Sequence, residues 1–176
     1  MWCNLGMKII GIDCGITGAV ALITDHGADV FDCPIFEKMK GKERTTYDPN
    51  AMFDLLQDIC TDSSLSTIPW VEAIVIEQLH ATNLGTIANF SKGLGFGYWH
   101  MAAVVLQIPL ILIGPTKWKK AMGLTKSKDD SRQRAIELFP QLAPRLKLKK
   151  NHGRAEAILL AEYGRRIYDK SNNSNK

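Results

Sequence analysis

I9-I-G-I-D-C-G-I-T-G-A-V-A-L-I23 is the stretch on which the fold turns. The apolar residues on either side of Asp13 read as two buried strands. Gly15 to Gly18 reads as the turn between them, so the pair forms a hairpin. Asp13 is the anomaly. A carboxylate inside an apolar run is costly unless a partner or a metal neutralises it.

Outward from the hairpin, Ala28 to Cys33 predicts a third short strand. V71-E-A-I-V-I-E77 is mostly apolar and β-branched, as a central strand should be, and it too ends on a carboxylate. Residues 37–48 are charged, contain Gly41 and Asp48-Pro49, and predict a loop. Met52, Phe53, Leu55, Leu56 and Ile59 fit a helix over 50–61, with Asp48 or Asn50 as its cap. Residues 63–69 read as a linker and 84–107 as a mainly apolar helical region. Leu110 to Gly114 reads as a buried strand, Pro115 to Ala121 as the start of a basic segment, and Ser131 to Phe139 as a short helix. The last helix is expected from His152 to Tyr168, with Asn151 as its N-cap. The order β-β-β-α-β-α-β-α-α predicts an α/β domain with a mixed sheet. One domain over 1–170 is expected, then a disordered polar tail at 171–176.

The chain has 176 residues, 45% hydrophobic and 23% charged, enough for one globular core. No apolar run approaches the roughly 20 residues that span a bilayer. The opening MWCNLG has no basic n-region and no cleavage signal, so secretion is not expected, and Met7 is a second candidate start. Cys3, Cys14, Cys33 and Cys60 form no C-x-x-C pair, so reduced thiols in a cytoplasm-like compartment are expected. Net charge is only +4, yet residues 117–150 hold 11 of the 22 Lys and Arg against Asp129, Asp130 and Glu137. Such a segment suits a phosphate backbone, or a solvated surface.

Asp13 and Glu77 each end a core strand, and neighbouring strands would bring those ends together. His152 and Glu156, in N151-H-G-R-A-E156, lie four apart on one helical face. Three carboxylates and an imidazole gather only around a cation. Oxygen-rich sites suit Mg²⁺ or Mn²⁺, and two such ions can clamp phosphodiester hydrolysis. Singly, each residue has an ordinary reading: Asp13 as a turn former, His152 and Glu156 as a solvated first helical turn. The combination carries the chemistry.

Five stretches together resemble RuvC-type Holliday junction resolvases of the RNase H-like superfamily, nearest in look to the MOC1-like group and related phage or bacterial proteins. They are I9-I-G-I-D-C-G-I-T-G-A19, A73-I-V-I-E-Q78, G114-P-T-K-W-K119, S127-K-D-D-S-R132 and H152-G-R-A-E-A157. The resemblance implies an RNase H-like mixed sheet flanked by helices and a homodimeric endonuclease making paired nicks in four-way DNA junctions. It implies two divalent ions, Mg²⁺ or Mn²⁺, on Asp13, Glu77, His152 and Glu156. It also implies a lysine near the scissile phosphate, Lys128 or its rival Lys126. Bacterial RuvC spaces the last motif by three residues; here His152 and Glu156 are four apart, and the residue three before Glu156 is Gly153. His152 is therefore either a metal ligand or a proton shuttle.

The segment N89-F-S-K-G-L-G-F-G-Y-W-H-M101 is the expected dimer interface, through its glycines and Phe96, Tyr98 and Trp99. The loop H80-A-T-N-L84 could enter the junction centre, with His80 stacking on a base. Lys117, Lys119, Lys120, Lys126, Lys147, Lys149, Lys150 and Arg154 are candidate phosphate contacts. The expected location is the cytoplasm of a bacterium or phage-infected cell. The first motif also resembles the phosphate loop of sugar kinases and actin-like ATPases, but those need a second domain and a second glycine-rich loop. An RNase H or transposase-type nuclease would use a similar acidic site. A junction-binding protein without catalysis is the third alternative.

Overall fold

The computed structural model describes residues 7–36, 45–61, 71–80, 85–125 and 127–173. β1 (Ile9–Asp13), β2 (Ala19–Thr24) and β3 (Gly27–Asp32) form an antiparallel meander. β4 (Ala73–Glu77) pairs parallel with the other edge of β1, and β5 (Leu110–Ile113) pairs parallel with β4. The sheet order is β3-β2-β1-β4-β5, mixed as expected. Ile12 stands opposite Ile76, so Asp13 and Glu77 leave the sheet side by side at the same end.

Strand alternation assigns the two faces. Ile10, Ile12, Ile74 and Ile76 pack against α1 (Pro49–Cys60) and α2 (Thr86–Val105) through Met52, Leu56, Trp99 and Ala103. Ile9, Ala73 and Val75 pack on the opposite face against α6 (His152–Asn173) through Ala157, Ile158 and Ala161. Each fully buried isoleucine contributes about 1.5–3 kcal/mol. By the same alternation Asp13 and Glu77 fall on the α6 face. α6 lies directly on β1: a Cβ on Gly11 would sit 2.2 Å from Ala157 O and 2.3 Å from Ala161 N. That close approach brings the start of α6 to the carboxylate end of the sheet.

α1 begins as its sequence dictates, with Pro49 in the first turn and Asp48 Oδ1 accepting from Ala51 N at 3.1 Å. Elsewhere the elements depart from expectation. Pro115–Ala121 is a helix, α3, entered through Gly114 and Pro115. α4 starts at Lys128, not Ser131, because Ser127 Oγ accepts from Asp129 N at 3.2 Å and Asp129 and Asp130 favour its first turn. A short α5 (Ala143–Leu146) and two 3-10 turns (Pro140–Leu142, Lys149–Asn151) were not foreseen; they are too short for a periodic signal. Asn151 ends the second turn, which runs straight into α6, and its Nδ2 donates to Arg145 O at 2.9 Å. α6 continues beyond Tyr168 to Asn173, so residues 171–173 extend the helix rather than form an irregular tail. Residues 37–44 of the expected loop, the expected linker at 63–69 and Cys3 lie outside the described residues. Cys14, Cys33 and Cys60 are buried free thiols, and burial pushes Cys33 and Cys60 up to about 12. Among the described residues no helix is long and apolar enough to cross a membrane.

Candidate active site

Asp13 from β1, Glu77 from β4 and Glu156 from α6 line one cavity of about 40 Å³ with Cys14, Gly15, Leu79, Lys92 and Leu160. Gly15 N donates to Asp13 Oδ1 at 3.0 Å and fixes that carboxylate at the strand end. Trp118 Nε1 donates to Glu77 Oε2 at 2.8 Å. Lys119 Nζ stands 3.3 Å from Glu156 Oε1 and 5.1 Å from the centre of the Trp118 ring. α3 therefore reaches two of the three acids with consecutive residues.

The site is short of positive charge. Burial pushes the Asp13 carboxyl up to about 6 despite the Gly15 N–H; Glu156 and Glu77 add to the rise and Lys92 opposes it. Lys92 was not anticipated as a site residue. Its only sequence signal was a lysine among the glycines of an apolar helix.

The donor set fits a hard divalent cation: three carboxylates of separate elements share one cavity, and one is too poorly compensated to ionise at its ordinary pH. As they stand, no three His, Cys, Asp or Glu side chains among the described residues are grouped closely enough to hold one ion. Of the three acids, Glu156 is already paired with a cation, Lys119.

His152 is not in the lining, against expectation. A Cβ on Gly153 would sit 3.0 Å from Asp13 Oδ2 and 2.5 Å from Thr17 O. Gly153, Glu156 and Leu160 thus define the stripe of α6 that faces the site, and His152 lies about 70° round the helix from its centre. The spacing put His152 and Glu156 on one face; the glycine contact sets which part of that face is aimed at Asp13.

The other expected residues divide. Lys117, Lys120, Lys147, Lys149 and Lys150 are exposed. Arg154 is committed elsewhere: it forks onto both Asp32 oxygens and donates to Arg145 O at 3.0 Å, tying β3 to the first turn of α6. Lys128 opens α4, and Lys126 lies outside the described residues. His80 is exposed and lines a recess of about 240 Å³ with Leu79, Asn89, Lys92 and Gly93. The remainder of its loop, 81–84, lies outside the described residues.

α2 also corrects its reading. Trp99 is fully buried in the core. Gly95 faces inward, where a Cβ would meet Cys14 O at 2.4 Å and Tyr47 Oη at 2.6 Å. Phe96 and Tyr98 are partly buried against the core. The outward stripe is Phe90, Leu94, Met101 and Val104, with Gly93 and Gly97 open beside it.

Comparison with solved structures places the architecture. Thermus thermophilus RuvC in complex with a Holliday junction substrate superposes with a TM-score of 0.55 at 17% identity, covering 92% of this chain and 96% of that one. The fold is the RuvC fold. A second Thermus thermophilus RuvC structure matches with a TM-score of 0.51 at 18% identity over the same shares. A chloroplastic Holliday junction resolvase, MOC1 of Chlamydomonas reinhardtii, is 49% identical over 81 residues, 45% of this chain. The chain spans about 9% of the length of that relative. No family model matches the chain.

Proposed function

We propose that this chain is a metal-dependent endonuclease that resolves four-way DNA junctions as a homodimer, with residues 1–170 as its nuclease domain. The observation that carries the reading is the meeting of Asp13, Glu77 and Glu156 in one cavity of the RuvC fold. The stretch 49% identical to a protein named Holliday junction resolvase supports the choice of substrate.

Asp13, Glu77 and Glu156 are the ligands for Mg²⁺ or Mn²⁺, two ions per site, with His152 at the edge as a further ligand or proton carrier. Such ions, when bound, activate water and stabilise the leaving oxygen. The protein supplies the rest. Gly15 N–H holds Asp13 in place, and the Gly153 contact holds α6 against it. Lys119, once parted from Glu156, and Lys92 offer positive charge to a phosphate at the cavity mouth, where developing charge is best stabilised. Lys128 or Lys126 is the further catalytic lysine. Exposed Lys117, Lys120, Lys147, Lys149 and Lys150 position the backbone without reading sequence. His80 is placed to meet bases beside the cut.

The outward stripe of α2 is the dimer surface. Phe90 and Met101 are 71% and 59% exposed, unusual for large apolar side chains lying together. Gly93 and Gly97 leave room for a second backbone. A two-fold dimer matches the near two-fold junction with one site per opposing strand. The expected compartment is cytoplasm-like, in keeping with the free buried thiols.

Asp13→Asn and Glu77→Gln test the site. Each should abolish cleavage and leave junction binding within a few-fold of the parent. Cleavage retained in both variants overturns the assignment.

A further inference from the structure

We propose that Trp118 is a positioning residue for Glu77, its indole N–H setting the orientation in which that carboxylate accepts a metal; the inference rests on the function proposed above. Trp118 is fully buried and packs in the same core as Ile113, Met122, Ala155 and Leu159, beneath α6. The ring cannot swing away. Its Nε1–H is its single donor, and that donor is aimed at Glu77 Oε2 at 2.8 Å. Glu77 is the last residue of β4 and is only partly buried, so the strand fixes its Cα but not its carboxylate. The indole fixes the carboxylate.

Two contrasts give the contact its meaning. Trp99 is equally buried, yet its Nε1 has no hydrogen-bond partner among the described residues. Trp99 lies in the core on the other face of the sheet, and burial there brings no carboxylate to its N–H. Lys119, the next residue along, meets Glu156 with a full charge that competes with any cation. Trp118 meets Glu77 with a neutral donor. It occupies one oxygen and brings no charge of its own to compete with a cation. Outer partners of this kind typically change metal affinity about 10–100-fold when removed.

The test uses the full chain and Trp118→Phe, which keeps a ring and deletes the donor. The sequence has 4 tryptophans, so the indole region of a ¹H–¹⁵N spectrum has a short set of peaks, and Trp118→Phe identifies its own by loss. We expect the Trp118 peak to move in Glu77→Gln and on Mg²⁺ addition, while the Trp99 peak stays. Mn²⁺ binding, read by electron paramagnetic resonance of the free ion, should weaken about 10–100-fold in Trp118→Phe. Cleavage by this variant should recover at raised Mg²⁺; a purely structural defect would lower it at every concentration. Mn²⁺ binding within twofold of the parent overturns the proposal. Should Trp118→Phe fail to fold, an indole set unmoved by both Mg²⁺ and Glu77→Gln overturns it equally. A parent protein that cuts no junction, with the indole peak still responding to Mg²⁺ and Glu77→Gln, refutes the proposed function and leaves the positioning role standing.

Discussion

Gly153→Ala is the sharpest steric probe of the site. Its added methyl would lie 2.5 Å from Thr17 O, 3.0 Å from Gly18 Cα and 3.0 Å from Asp13 Oδ2. Two of these neighbours are backbone and cannot rotate aside. Ordinary contact begins at about 3.5 Å, so the first turn of α6 must retreat by about 1 Å. Glu156 follows directly on that turn and retreats from Asp13 and Glu77 with it. A misplacement of about 1 Å at reacting groups costs on the order of 100-fold in rate. The stability change is smaller. Overpacking costs about 1–3 kcal/mol, and alanine returns about 1 kcal/mol of helix propensity, so the protein stays folded. The assay is single-turnover cleavage of a labelled junction at saturating protein and Mg²⁺, beside a gel shift in Ca²⁺ and a thermal melt. The expected result is a rate about 100-fold down with binding within a few-fold. Gly153→Ala cutting at the parent rate would refute the argument that this contact aims α6.

Three further outcomes are expected. Asp13 has its carboxyl raised from 3.8 to about 6, chiefly by burial. In chelator, the folded protein then holds a proton between those values that the unfolded chain has released, so stability falls as pH rises through that window. The loss is roughly 3 kcal/mol, at about 1.4 kcal/mol per pKa unit, and Asp13→Asn should recover most of it at pH 7.5 while losing cleavage; an unchanged pH–stability profile by chemical denaturation sinks the argument. For Glu162, burial pushes the carboxyl up, but hydrogen bonds from Arg165 and Arg166 more than reverse this and hold it below 4.5. Its stabilisation is thus present above 4.5 and lost as pH falls through the folded value; Glu162→Gln should cost about 1–3 kcal/mol at pH 7 and flatten the acid limb of the denaturation curve. Phe90→Glu combined with Met101→Glu should sediment as a monomer and nick junctions in one strand at a time; a dimer of parent mass would remove α2 as the interface.

Asp13 and Glu77 were legible because an ionisable group closing an apolar β-branched run has few structural uses. Their adjacency follows from parallel pairing of β1 with β4, which a mixed α/β reading already contains. Glu156 was legible from its place in the last helix, but His152 was not correctly aimed. Helical spacing says which residues share a face; only the contact of Gly153 with Asp13 and Thr17 says which way that face looks. Trp118 was hidden because a helix of 7 residues gives no periodic signal, and its lysines dominated the reading. Lys92 was hidden for a related reason: the acids that share its cavity lie on β1, β4 and α6, far away in sequence. Arg154 read as a phosphate contact by charge alone, and the Asp32 that occupies it comes from β3. On α2, composition located the unusual helix but could not sort buried Trp99 and Gly95 from exposed Phe90 and Met101.

One cleavage assay bears most directly on the proposed activity. Equal amounts of labelled four-way junction, plain duplex and RNA–DNA hybrid are incubated with the full chain, in Mg²⁺ and in chelator. Paired nicks in opposite strands of the junction alone, in Mg²⁺ and not in chelator, are the predicted result. Cleavage of the hybrid in place of the junction, or junction binding with no cut in Mg²⁺ or Mn²⁺, would contradict it.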